Sequence, residues 1–108
     1  MQALLVLCTC PDEASAACVA EALVAEHLAA CITQVPGARS VYRWQGAIEH
    51  SVEVQLLIKT TPARLAALQA RLLALHPYEM PEILALPVVA GHAPYLDWLD
   101  AQVTPPTP

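Results

Sequence analysis

Four cysteines lie in the first third of the chain, so thiol chemistry is the first chemistry this sequence raises. They are Cys8, Cys10, Cys18 and Cys31. Cys8-Thr9-Cys10 has C-x-C spacing, which matches neither a zinc knuckle nor a thioredoxin-type C-x-x-C motif. Two disulfides would suit a small secreted protein. Disulfides among these four residues could not cross-link the other two thirds of the chain, and no signal-peptide pattern is present. We therefore expect reduced thiols and a cytoplasmic location.

Histidine is the second kind of donor in the sequence. His76 stands at the predicted end of a helix, where an imidazolium interacts favourably with the last carbonyl groups. His27 and His50 match no motif and are typical of surface positions. A structural role for His76 therefore has to be weighed against a ligating one.

Charged side chains form a third candidate group. Strand alternation puts Glu53 and Lys59 on one face of the third predicted strand, and Glu82 lies at the start of the fourth. Such charges most often form solvated or intersubunit ion pairs, and we keep ligand binding as the alternative.

Composition excludes two classes of partner. The 108 residues carry ten acidic against five basic side chains, a net charge of −5, which leaves no basic field for a phosphate backbone. Nucleic acid is therefore excluded as an expected partner. A chain that is 56% hydrophobic and 14% charged folds, yet no apolar run reaches the roughly 18 residues needed to span a bilayer. We expect no membrane partner.

The elements that must position these groups begin with a strand and a helix. Residues 3–8 are an apolar run of strand length, as in a central strand covered on both faces. Pro11 suits the first position of the helix that follows, with Asp12 and Glu13 in its first turn. Its apolar stripe is predicted to comprise Ala16, Ala20, Leu23, Val24 and Leu28.

A long hairpin occupies the middle of the chain. A second strand begins at Cys31 and is interrupted by Pro36-Gly37, as by a bulge. It resumes over 40–44, and Gln45-Gly46 predicts a tight turn into a third strand over 48–59. Both arms exceed the usual strand length of about 5–6 residues, so the tip should project past the helices towards another subunit.

The remaining elements complete a recognisable order. Thr61-Pro62 predicts the start of a second helix that ends at Pro77. A fourth strand is predicted over 83–86, between Pro81 and Pro87, and a short C-terminal helix over 95–99. The order β-α-β-β-α-β predicts an α+β, ferredoxin-like sandwich, with two helices on one face of a four-stranded antiparallel sheet.

The predicted fold sets the limits of the domain and indicates that the chain assembles into an oligomer. We expect one domain over 1–103 and a disordered proline-rich tail over 104–108. The sheet face opposite the helices is left bare, and subunits that pack their sheets together would cover it. The sequence therefore predicts an oligomer.

Six segments, in order, resemble the CutA family of divalent-cation tolerance proteins. They are VLCTCPDEA (6–14), LAAC (28–31), SVYRWQG (40–46), KTT (59–61), HPYEMPE (76–82) and YLDWL (95–99). The resemblance implies a fold close to that of the PII signalling proteins, a homotrimer built through the long hairpin, a cytoplasmic location and binding of copper(II). It implies no enzyme and no organic cofactor.

The resemblance also implies a metal site. The family's ligands fall on Cys8 and His76, and Leu75 stands where some members carry a second histidine. Thiolate and imidazole are good copper ligands. For both residues the alternative is structural: a buried core thiol for Cys8, and a helix C-terminal cation for His76.

Two further functions compete with metal binding. Similarity to PII proteins implies a sensor with a small ligand in the cleft between subunits, where Lys59, Tyr78 and Glu82 are candidates. An enzyme on this fold, such as an acylphosphatase, would need an Asn and a glycine-rich phosphate cradle. The chain has no Asn and three separated glycines, so we expect no enzyme.

Overall fold

The computed structural model describes residues 2–105, and its elements follow the predicted order. The strands are β1 (Ala3–Cys10), β2 (Cys31–Trp44), β3 (Ala47–Thr60) and β4 (Leu84–Val88), and the helices are α1 (Glu13–Ala25), α2 (Pro62–Leu75) and α3 (Ala93–Val103). Neighbouring strands are antiparallel in the order β2-β3-β1-β4. The predicted α+β, ferredoxin-like fold is confirmed. The disordered tail was predicted over 104–108, and residues 106–108 lie outside the described residues.

The main core lies between the sheet and the two helices α1 and α2. Alternation along β1 turns Val6, Cys8 and Cys10 to this side, where each is fully buried. Leu56 and Ile58 of β3, Leu23 of α1 and Leu68 and Leu72 of α2 complete its largest part. The thiols therefore belong to the hydrophobic layer that stabilises the fold.

Helix α1 begins later than predicted. Asp12 is its N-cap, and its carboxylate accepts a hydrogen bond of 2.7 Å from the Ser15 N–H, so Pro11 lies outside the helix. The buried stripe of α1 includes Val19. Val24, which was predicted to belong to the stripe, faces solvent and is 41% exposed.

The hairpin is longer than predicted because β2 continues through Pro36-Gly37. The ladder shifts register between Val35 and Ala38, so the predicted bulge exists without ending the strand. At the tip, Gln45 and Gly46 have φ angles of 50° and 82°, the two positive values of a type I′ turn. The predicted tight turn is confirmed.

The end of the chain differs from prediction in two ways. Strand β4 includes Pro87, which an edge strand tolerates because one side of its backbone needs no partner. Helix α3 has 11 residues and buries Leu99 and Val103 against Ala3 and Ala30. Ala3 and Val6 lie on opposite faces of β1, so α3 covers part of the face predicted to be bare.

Within residues 2–105, no helix combines the length and the apolar character needed to cross a membrane.

Candidate metal centre

Chain topology brings the end of β1 and the end of α2 to the same place. Strand β3 runs antiparallel to β1, and α2 follows β3 and returns along the sheet. The C-terminal end of α2 therefore lies beside the C-terminal end of β1. Pro77 disfavours helical geometry at the preceding residue, so α2 ends at Leu75 and His76 is extended, with φ −73° and ψ 137°.

Three side chains with soft donor atoms meet at this junction. The sulfurs of Cys8 and Cys10 and a ring nitrogen of His76 all lie within 4.8 Å of one another. The Cys10 Sγ is 3.7 Å from the His76 Nε2. The thiols are fully buried, and His76 is 7% exposed. The structure brings together the two predicted ligands and adds Cys10.

Both ring nitrogens of His76 have backbone partners. The Tyr78 N–H donates to Nδ1 at 3.0 Å, so Nδ1 carries no proton. Nε2 lies 2.7 Å from the Thr9 carbonyl oxygen, which can only accept, so Nε2 carries the proton. These bonds define a neutral imidazole that links β1 to the segment after α2. The structural alternative for His76 required its ring to interact with the last carbonyl groups of α2. The ring bonds instead to the Thr9 carbonyl and the Tyr78 N–H.

The two thiols differ in acidity because they face each other. Hydrogen bonding with Cys10 raises the pKa of Cys8 above its ordinary value, and burial raises it further. The same contact lowers the pKa of Cys10, because the Cys8 thiol stabilises the Cys10 thiolate. Cys10 is therefore the first of the pair to become a thiolate, the form that binds metals.

A buried carboxylate borders the metal-donor cluster. The Tyr78 hydroxyl donates a hydrogen bond of 3.0 Å to Glu53, which is 7% exposed. The Tyr78 and His76 rings lie 5.0 Å apart, centroid to centroid. Tyr78 thus connects the segment after α2 to the middle of β3.

The ligand-cleft candidates do not meet within one protomer. Lys59 donates to the Thr33 hydroxyl at 2.6 Å and lies six residues along β3 from Glu53, about 20 Å away at the rise of a strand. Glu82 is exposed, and its charge is one of those that raise the pKa of Cys8, so it lies near the junction. Tyr78 and Glu82 are therefore near the C-terminal end of β1, and Lys59 is near its N-terminal end.

Within residues 2–105, neither Glu53 nor Lys59 forms an ion pair, and the intersubunit pairs expected of them stay a prediction. Glu53 bonds to a phenol, and Lys59 bonds to a hydroxyl and lies 3.8 Å from the Cys31 sulfur. All four cysteines are free thiols in the structure.

Cys10 is the candidate ligand that sequence reasoning missed. The signal was available, because alternation along a strand puts residues two apart on the same face. On a strand, C-x-C spacing turns both thiols to one side, so Cys10 lies beside Cys8.

The fold and the junction define a class: a small ferredoxin-like α+β protein with a buried thiol and imidazole cluster where its first strand and second helix end. Residues 4–102 match the family described as CutA1 divalent ion tolerance protein. The chain belongs to this family, as its six sequence segments predicted.

Individual relatives agree with the family match. The divalent-cation tolerance protein CutA of Citrobacter koseri is 49% identical over 102 residues, 94% of this chain and 89% of that protein. The structure of the Thermus thermophilus divalent cation tolerance protein superimposes with a TM-score of 0.92 at 48% identity, over 94% of this chain and 99% of that one. Crystalline CutA from Xylella fastidiosa gives 0.94 at 48% identity, over 96% and 100%.

Proposed function

We propose that this protein is a non-enzymatic homotrimer that binds a divalent metal ion, first of all copper(II), through Cys8 and His76. The observation that carries the proposal is the convergence of their donor atoms, with Cys10, within 4.8 Å. The family to which the chain belongs is one of divalent cation tolerance proteins, which supports a metal as the ligand.

The donor set fits copper. Thiolate and imidazole are ligands that copper binds well, and copper stands at the top of the affinity order for divalent ions. A bound ion would have Cys8 and His76 as ligands, and Nε2 of His76 would have to give up both its proton and its bond to Thr9. The imidazole stays neutral if Nδ1 takes up the proton, whereas the Cys8 thiol must lose its proton to become a ligand, so metal binding is expected to release a proton.

The test is parallel calorimetric titration of the purified, reduced protein with Cu(II), Zn(II) and nucleotides. We expect metal binding in the wild type, and a loss of affinity of at least about tenfold in Cys8→Ser and in His76→Ala. Cys18→Ser is the matched control, since Cys18 is an exposed thiol on α1 outside the cluster. Equal Cu(II) affinity of wild type and the Cys8→Ser/His76→Ala double variant would contradict the proposal.

Exposed apolar surface supports the trimer. The chain exposes 6664 Å², more than the about 5,800 Å² expected for a compact monomer of this mass. Val41, Ile48 and Val52 on the hairpin are 59–66% exposed. Subunits that cover the hairpin would bury these side chains.

A PII-like sensor is the second candidate. Tyr78 contacts Glu53 near the middle of β3 and Lys59 lies six residues further along the strand, so only a cleft between subunits could bring Lys59 and Tyr78 to one ligand. Nucleotide binding with no metal binding in the parallel titration would favour the sensor. We also propose a cytoplasmic location, which suits four free thiols and is tested by cell fractionation.

A further inference from the structure

We propose that Cys10 is a third ligand and that the complete Cys8, Cys10 and His76 site prefers Cu(I) over the divalent ions. The proposal rests on the proposed function, because it takes the same junction to be a metal site. It goes further in naming an additional ligand and a different oxidation state of copper.

The distances between the donor atoms put Cys10 within reach of the same ion as Cys8 and His76. Its sulfur lies 3.7 Å from the His76 Nε2, and the three donor atoms lie within 4.8 Å of one another. Donors bound to one ion at 2.0–2.3 Å stand roughly 3.5–4 Å apart, so one ion can reach all three after small side-chain shifts. No backbone rearrangement of β1 is needed, since both cysteines already face the same side.

The donor set favours a soft ion of low coordination number. Two thiolates and one imidazole are a soft set, and thiolates select Cu(I). Structural zinc sites almost always have four ligands, and catalytic zinc sites add a water to three. Here both sulfurs are fully buried and the imidazole nearly so, which leaves little access for a water as fourth ligand. A three-coordinate ion therefore fits this site better than a four-coordinate one.

Binding needs no change of oxidation state, because copper enters as Cu(I). Two Cu–S bonds and one Cu–N bond form as the acetonitrile ligands of the added Cu(I) leave, and the two thiol protons go to solvent. The imidazole stays neutral: Nε2 gives its proton up and Nδ1 takes one. Nδ1 must then release the Tyr78 N–H, so copper binding also frees the segment after α2 from His76.

The test is anaerobic competition for Cu(I), supplied as its acetonitrile complex, against bathocuproine disulfonate. We expect wild type to hold Cu(I) more tightly than it holds Zn(II) or Cu(II). Cys10→Ser replaces a soft donor with a hard one at nearly constant shape, and it should lower Cu(I) affinity by at least about 100-fold. Cys18→Ser should leave the affinity unchanged. Cys10→Ala serves if the buried hydroxyl of the serine variant impairs folding, which circular dichroism will show.

X-ray absorption of the Cu(I) complex gives an independent readout. We expect two sulfur neighbours in wild type and one in Cys10→Ser. One sulfur in wild type, undiminished Cu(I) affinity in both Cys10 variants, or preference for Zn(II) would each overturn this inference while leaving a metal site at Cys8 and His76 intact. Absence of binding for every ion would instead overturn the proposed function.

Discussion

Tyr78 and Glu53 show how one hydrogen bond changes the behaviour of a residue. Desolvation raises the pKa of Tyr78 to about 12, and the bond to Glu53 contributes to the rise, because tyrosinate would face a carboxylate. This pair belongs to no recognised motif. It connects the middle of β3 to the segment that carries His76.

Tyrosine titration tests this pair. In wild type we expect the absorbance of tyrosinate to show one group with a pKa of about 12 that is missing in Tyr78→Phe. Glu53→Gln removes the facing charge and should shift that group back towards 10, the ordinary value. An unchanged titration curve in Tyr78→Phe would contradict the assignment.

The same shift predicts a pH dependence of stability. The folded protein holds the Tyr78 proton more tightly than the unfolded chain does, so the free energy of unfolding falls as pH rises from 10 to about 12. Below pH 10 this group contributes a constant amount. Denaturant titrations across this range should show a shallower alkaline decline in Tyr78→Phe. An equally steep decline would show that other groups cause it.

At the scale of elements, the position of α2 depends on a buried stripe that contains Leu68 and Leu72. Leu72 is fully buried in the main core, whereas its neighbour Leu73 is 47% exposed. The helix ends where Pro77 requires it to, so the stripe and the proline together set the position of His76.

Two alanine substitutions test the stripe. Leu72→Ala should lower the free energy of unfolding by about 2–5 kcal/mol, because it leaves a cavity in a close-packed core. Leu73→Ala, the matched control, should change it by less than about 0.5 kcal/mol. Chemical denaturation at one fixed protein concentration measures both, since assembly contributes to apparent stability. Equal effects would contradict the assigned burial.

Substitutions at the two central residues of the hairpin turn are expected to have opposite effects on stability. Gly46 has a φ of 82° with open space around it, so Gly46→Ala meets no atom and should still cost about 1–2 kcal/mol in backbone strain. Gln45 has a φ of 50°, and Gln45→Asn should stabilise by about 0.5 kcal/mol, because Asn tolerates this conformation better. Thermal unfolding of both variants gives the signs, and a stabilising Gly46→Ala would exclude the type I′ turn.

At the scale of the whole molecule, the outline is elongated, 48 × 30 × 21 Å. The long axis comes from a hairpin whose apolar side chains the rest of the protomer leaves uncovered. Helix α3 covers part of the second sheet face, but Leu84, Leu86 and Val88 of β4 remain 38–55% exposed. Other copies of the chain would give this surface an apolar partner.

Light scattering on a sizing column tests the proposed trimer. We expect a mass three times the 11.6 kDa of one chain. Val52→Asp adds a charge to a hairpin side chain that is 66% exposed in the protomer, so it should lower the mass without unfolding the chain. Leu73→Asp, on the outer side of α2, should leave the mass unchanged. A wild-type mass of a single chain would refute the trimer.

The sequence by itself determined the order of elements, the fold class and the family. Local physics carries this information: the 2-residue period of the strands, the 3.6-residue period of the helices, and turn and stop signals such as Gln45-Gly46 and Pro77. The element boundaries were less certain, because capping depends on one side chain. Asp12 is the N-cap of α1, and Pro11 lies outside the helix, because the Asp12 carboxylate accepts a hydrogen bond from the Ser15 N–H.

Only the tertiary structure decided the composition of the metal-donor cluster. Cys8 and His76 are 68 positions apart in the chain, and no local rule fixes the distance between their side chains. Helix α2 returns antiparallel to β3 and therefore runs in the direction of β1, which brings the two ends together; the same packing adds Cys10 and connects His76 to Thr9 and Tyr78. Packing also decided how much of the second sheet face stays exposed. Helix α3 packs against Ala3 and Ala30 and covers part of that face, and no local rule predicts this contact.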